Sequence, residues 1–190
     1  MFALKKEYFF IIENIKDINL SNKKKTSKIN IVYRSKKGNE NISELNLFRR
    51  ICKQKRVNFF TANNLALASK LKADGIYISA FNKDLSIKKL RNSKFKIIGS
   101  AHNFKELNIK ILQGCKKIFF SRLFKTSYAS KPEFFGTVRY NLLKLKFKYD
   151  LVPLGGIRLA NLNKLKIINC DSFAILSELK KKPAIISRLF

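Results

Sequence analysis

A chain of 190 residues and 22.0 kDa is sized for one core, and residues 1–190 read as a single domain. Its 46% hydrophobic content, with 17 Phe and 6 Tyr, excludes a disordered tail even though 41 Lys and Arg against 12 Asp and Glu leave a net charge of +29. A lone His excludes a His-built metal cage or a His acid–base pair, and the dispersed Cys52, Cys115 and Cys170, with no CxxC, read as buried thiols of a reducing compartment.

In chain order, Lys5 and Lys6 precede an apolar run, Tyr8 to Ile12, too short for a signal segment and suited to a buried strand. No apolar run approaches the ~20 residues that span a bilayer, so a soluble, cytoplasmic protein without a membrane partner is expected. Further strand-like runs follow at Ile29–Tyr33, Val57–Phe60, Gly75–Ile78, Phe95–Ile98, Lys117–Ser121, Asp150–Leu154 and Ser172–Leu176. Their β-branched and aromatic residues stand on consecutive positions, as in strands buried on both faces. Helical patterns lie between them: Leu45, Phe48 and Cys52; Leu65, Ala68 and Leu71; Phe104, Leu107 and Ile111; Leu159, Leu162, Leu165 and Ile168. The connection from Asn14 to Lys28 is the weakest, because Lys23–Lys25 interrupts its apolar face.

Strand and helix alternate, which predicts an α/β fold with a parallel sheet. Eight units in 190 residues leave about 24 each, small for a barrel that usually takes ~250. The count favours a compact (β/α)8 TIM barrel, with a doubly wound open sheet as the alternative.

The charge admits two explanations. It would attract a polyanion such as RNA. However, the Lys clusters are spread along the chain rather than gathered in an arm, and the richness in Asn, Ile, Phe and Lys matches AT-rich codons. The distribution speaks against a nucleic-acid partner, and the oligomeric state is left open.

In barrels of this kind the chemistry sits at the C-terminal ends of the strands. The most specific feature there is Pro153-Leu154-Gly155-Gly156-Ile157, a Gly pair between a buried strand and a helix. Such a turn lets backbone N–H groups face an anion beside a positive helix end, although a plain tight turn has the same sequence.

The stretches Lys72-Ala73-Asp74-Gly75-Ile76-Tyr77-Ile78, Ile97-Ile98-Gly99-Ser100-Ala101-His102, Phe120-Ser121-Arg122-Leu123-Phe124-Lys125-Thr126, Leu154-Gly155-Gly156-Ile157 and Cys170-Asp171-Ser172-Phe173-Ala174-Ile175-Leu176-Ser177 follow in order. Together, over about Ile29 to Leu179, the chain resembles the thiamine phosphate synthase and TenI family. The resemblance implies a compact (β/α)8 barrel. It also implies a synthase that joins hydroxymethylpyrimidine diphosphate to a thiazole phosphate, releasing pyrophosphate with Mg2+. On the thiazole-phosphate side it implies Thr126, Gly155, Gly156 and Ser177 as binding residues, with Ser100 and His102 matching the family's Ser-x-His. Lys131 lies near the place of the family's Lys after Pro-Thr.

On the diphosphate side, the family's Gln-x-Arg-x-Lys becomes Val32-Tyr33-Arg34-Ser35-Lys36, which keeps both cations, Arg34 and Lys36. The family's magnesium-holding Asp after strand three is replaced by Asn63, and Asp84 follows two residues beyond the family's next carboxylate. Asn63 and Asp84 are therefore the candidate Mg2+ ligands. The alternatives are a TenI-like thiazole tautomerase with His102 as the proton-transfer group, a non-catalytic binder of phosphorylated ligands, and an RNA-binding protein.

Overall fold

The strands form one ring, and β1 closes it by pairing with both its neighbour in sequence and the last strand. This computed structural model describes residues 7–20, 25–35, 41–126 and 133–176. The strands are β1 (Glu7–Ile12), β2 (Ile29–Tyr33), β3 (Asn58–Ala62), β4 (Gly75–Ile78), β5 (Lys96–Ala101), β6 (Lys117–Ser121), β7 (Asp150–Leu154) and β8 (Ser172–Ile175). All pair in parallel, in sequence order, as a closed barrel. The (β/α)8 expectation holds and the open-sheet alternative does not.

Alternation along each strand sorts the apolar residues into two layers. Phe9, Ile11, Val32, Phe60, Tyr77, Ile98, Phe119, Val152 and Ala174 fill the barrel interior. Their neighbours, such as Tyr8, Phe10, Ile31 and Phe120, face the surrounding helices. Both faces are buried, which is why the strands read as continuous apolar runs. Across the interior, Phe9 meets Phe119 edge-on at 5.0 Å, and Tyr77 lies 5.6 Å from Phe119. The N-terminal end is closed by polar side chains instead. Lys117 pairs with Glu7 at 3.0 Å and with Asp150, while Asn58 donates to Asn30 at 2.8 Å. Burial opposes the Lys117 charge, but the two carboxylates outweigh it and raise its pKa.

The connections carry α1 (Ile42–Gln54), α2 (Leu65–Lys70), α3 (Phe104–Leu112) and α4 (Gly136–Lys146). Asn41, Asn64 and Asn103 cap the first three by accepting backbone N–H bonds. Leu45, Phe48 and Cys52 form the buried face of α1, as their spacing predicts. Residues Leu159–Ile167 wind as a 3-10 helix instead of an α-helix. The reason lies in the spacing: Leu159, Leu162, Leu165 and Ile168 recur every three residues, the 3-10 repeat, and not every 3.6. Leu85–Asn92 is also a 3-10 helix, turning Ile87 and Leu90 inward at the same interval. Among the described residues, the connection after β1 holds only the short 3-10 turn Ile15–Asp17. β5 runs on to Ala101, beyond the expected end at Ile98, so Ser100 is a strand residue.

Cys52, Cys115 and Cys170 are buried and unbridged. Burial pushes the Cys52 and Cys115 thiols up to about 12. No helix among the described residues is long and apolar enough to cross a membrane.

β4 enters the ring at Gly75, where a Cβ would run into the Lys96 carbonyl and stand 2.8 Å from the Phe60 ring. Backbone cannot yield there as a flexible side chain does. Gly75→Ala is expected to cost roughly 3 kcal/mol or more of stability. Denaturant unfolding checks this, and an unchanged midpoint would show that β4 and β5 are not so closely apposed.

Candidate phosphate-binding site at the barrel mouth

The C-terminal ends of the strands surround a cavity of about 500 Å³. Arg34, Tyr77, Ser79, Ser100, His102, Thr126, Gly155 and Gly156 all line it. These residues come from the ends of β2, β4, β5, β6 and β7 or the loops that follow, so ring closure alone assembles them. A second cavity of about 780 Å³ adjoins it, shares His102, Ser121 and Arg122, and is walled by Glu133, Phe134, Phe135 and Arg139.

Gly155 and Gly156 adopt left-handed backbone, with φ of +94° and +68°. The turn is packed against the loop after β6: the Phe124 N–H donates to the Gly155 carbonyl at 3.0 Å, and Asn161 Nδ2 donates to the Gly156 carbonyl at 2.8 Å. A Cβ at Gly156 would collide with the Phe124 carbonyl and stand 2.7 Å from that of Lys125. The glycines therefore serve two purposes: a conformation that side chains rarely adopt, and the close approach of two loops. Thr126, in the same wall, has a buried hydroxyl with no hydrogen-bond partner among the described residues. A buried hydroxyl without a partner is rare in a folded chain.

Tyr77 and Ser100 form the polar floor. The Tyr77 hydroxyl donates to Ser100 Oγ at 2.8 Å, and both side chains are buried. Burial raises the Tyr77 pKa, against the opposing Ser100 bond and Arg34 charge. Sequence reasoning assigned Tyr77 no role, although the alternation in Gly75-Ile76-Tyr77-Ile78 distinguishes Ile76 and Ile78 from Tyr77. Arg34 lies at the rim, 3.6 Å from Glu13. His102 holds its Nδ1 3.0 Å from Glu106 Oε2, and the same oxygen accepts the His102 backbone N–H at 2.7 Å. Partial burial works against the Glu106 charge, but the His102 and Asn103 contacts outweigh it and lower its pKa.

The proposed metal ligands are engaged elsewhere. Asn63, at φ +54°, accepts the Ser79 N–H on Oδ1 at 2.9 Å and donates from Nδ2 to Ser79 Oγ at 3.0 Å. Asp84 caps the Leu85–Asn92 helix, with one oxygen on the Ser86 N–H and the other on its hydroxyl, both at 2.8 Å. Those Ser86 bonds, led by the hydroxyl, lower the pKa of the Asp84 carboxyl. Neither Asn63 nor Asp84 lines the cavity, and the described residues hold no group of three or more His, Cys, Asp and Glu. This donor set does not fit a magnesium centre: an amide oxygen already accepting a backbone N–H and a capping carboxylate are poor ligands for a hard dication. Lys36, Lys131 and Ser177 lie outside the described residues.

At its mouth this closed parallel (β/α)8 barrel gathers a glycine turn, a residue with an unpartnered hydroxyl and a rim arginine. The family model described as thiamine monophosphate synthase matches residues 24–179, and the chain belongs to that family. It is 30% identical over 154 residues to the thiamine-phosphate synthase of Prochlorococcus marinus subsp. pastoris, covering 78% of this chain and 43% of that relative. It is 29% identical over 149 residues to the thiamine-phosphate synthase of Clostridioides difficile, covering 76% and 69%. The chain thus spans less than half the length of the Prochlorococcus relatives it matches. Among solved structures, a thiamine phosphate pyrophosphorylase from Pyrococcus furiosus superposes with a TM-score of 0.71 at 16% identity, covering 100% of both chains, a likeness of fold.

The Glu106 interaction carries a pH signature. Its carboxyl is lowered in the folded state, so its stabilisation is complete above the ordinary carboxylate range and is lost as pH falls through the folded value. Glu106→Gln should therefore reduce stability at neutral pH and flatten the acid side of the stability profile. Parallel acid limbs for the two proteins in thermal unfolding would contradict the pairing.

Proposed function

We propose that this protein joins hydroxymethylpyrimidine diphosphate to a thiazole phosphate, releasing pyrophosphate. The observation that carries the reading is Thr126, which lines the same cavity wall as the Gly155-Gly156 turn and whose buried hydroxyl has no partner among the described residues. That pairing suits a phosphate anchor, and it supports the thiazole-phosphate side of the site. Arg34 supports the diphosphate side, because a guanidinium makes paired bonds to phosphate oxygens. Ser100 and Tyr77 offer hydroxyls at the floor for the polar edge of a bound ring.

The chemistry asks for little covalent work from the chain. The carbon–oxygen bond to the diphosphate breaks, the electron pair leaves with pyrophosphate, and the thiazole nitrogen supplies the pair for the new carbon–nitrogen bond. Arg34 stabilises the leaving charge, the cup holds the second substrate, and the apolar interior beneath Tyr77 excludes water. Lys36, Lys131 and Ser177 are proposed to add to these contacts, on the strength of the family motifs.

A second reading, thiazole tautomerisation, is favoured by one observation. Glu106 holds His102 Nδ1 at 3.0 Å, and His102 lines the cavity, where an imidazole is the side chain suited to move a proton. Incubating the pure protein with both phosphorylated substrates and Mg2+ separates the outcomes. Thiamine phosphate selects the synthase; an isomerised thiazole without coupling selects the tautomerase; binding without either selects a non-catalytic binder.

Because a Cβ at Gly156 meets backbone, Thr126 is the cleaner probe of the cup. Thr126→Val keeps the shape and removes the hydroxyl. Loss of a hydrogen bond to a charged phosphate oxygen costs ~1.5–3 kcal/mol, or roughly tenfold and more in Kd. Calorimetry with thiazole phosphate should show this weakening in a folded variant, and equal affinity would remove Thr126 from the site.

A further inference from the structure

We infer that Phe81 is a fixed aromatic platform on which the planar heteroaromatic ring of a substrate stacks. The inference rests on the proposed function for the kind of ligand, but the platform is read from its own geometry. Phe81 is 78% exposed, the highest value for a large hydrophobic side chain among the described residues. It lines the mouth cavity, and among the described residues its ring meets that of His102, at 6.1 Å between centroids.

A single bare hydrophobe on a helix surface needs no explanation. The loop beneath this one does. Asn63 holds its start through two hydrogen bonds to Ser79. Its far side is held from α3. Fully buried Lys110 donates to the Asn82 carbonyl at 2.6 Å and to Gln113 Oε1 at 2.8 Å. Gln113, also fully buried, donates to the carbonyls of Asn82 at 3.1 Å and Asp84 at 2.9 Å.

Taking a lysine and a glutamine out of water to grip backbone carbonyls is costly unless every donor is used. Here that outlay fixes the backbone on both sides of a ring that itself touches little protein. A braced loop has little backbone freedom left to lose on binding, which raises the affinity that stacking alone supplies. Phe81 carries no charge and no hydrogen-bond donor, so it selects for a π-face and ignores phosphate. Anchoring by phosphate and recognition by ring are thereby divided between the Gly155-Gly156 side and the Phe81 side of one cavity. Lys110 and Gln113 act through the loop and are positioning residues.

The chain contains no Trp, so Phe81→Trp introduces a single fluorophore at the platform. Its emission should be quenched saturably by hydroxymethylpyrimidine diphosphate or by thiazole phosphate, and the responding ligand identifies the ring that stacks. Inorganic pyrophosphate and inorganic phosphate should leave it unchanged. In parallel, Phe81→Ala should weaken the responding ligand roughly fivefold while leaving pyrophosphate affinity as in wild type.

Adding Lys110→Met to the Phe81→Trp variant should lower the anisotropy of the indole, since the loop loses its brace. Unchanged anisotropy in that folded double variant would overturn the positioning role. If calorimetry shows that ring-bearing ligands bind wild type, yet the indole does not respond and Phe81→Ala binds them equally well, the platform is refuted and the proposed function stands. If neither ring-bearing ligand binds wild type, the functional reading and the platform fall together.

Discussion

Everything at the barrel mouth depends on the pairing of β1 with β8. Tyr8 opposes Phe173 and Phe9 opposes Ala174 in that ladder, and it joins the two ends of the described chain into a ring without edges. Once the ring is closed, parallel pairing puts every strand's C-terminal end on one side. Arg34 after β2 and Gly155 after β7 then border the same cavity, although more than half the chain separates them. The contact of Phe9 with Phe119 supports closure from within, because it packs β1 against β6 across the interior.

The site's electrostatics are more selective than the chain's. Lysines make up most of the basic surplus, yet the basic side chains described around the two mouth cavities are Arg34, Arg122 and Arg139. Arginine keeps its charge in any surroundings and presents a planar fork to phosphate, whereas lysine is a hydrated point charge. Arg122 is itself held in place by donating two bonds to the Glu133 carbonyl. Among the described residues the diffuse lysine charge and the arginine-lined mouth are separate features.

Much of the fold was legible because burial on both faces leaves an unbroken apolar run, as in Tyr8–Ile12. The Gly155-Gly156 turn was legible because few residues other than Gly tolerate its backbone. Side-chain hydrogen bonding was not legible. Asn63 occupies the position of a metal-binding carboxylate in the family pattern, and only the fold reveals that both ends of its amide are taken by Ser79. Asp84 likewise reads as a ligand or a cap with equal ease until its oxygens are found on Ser86. The interval of three in Leu159–Ile168 was visible in the sequence, but the run winds as a 3-10 helix only in the folded chain. The position of Phe81 after β4 was legible, but its exposure was not, since exposure is a property of the folded chain.

The buried thiols give this molecule a built-in record of its own breathing. Cys52 and Cys115, each held protonated by burial, offer almost no thiolate to an alkylating or oxidising reagent while the barrel is shut. Cys52 sits on α1 and Cys115 just before β6, so they sample distant arcs of the ring. Reagent uptake at either one counts openings of its own arc, and comparing the two distinguishes local opening from loss of the whole ring.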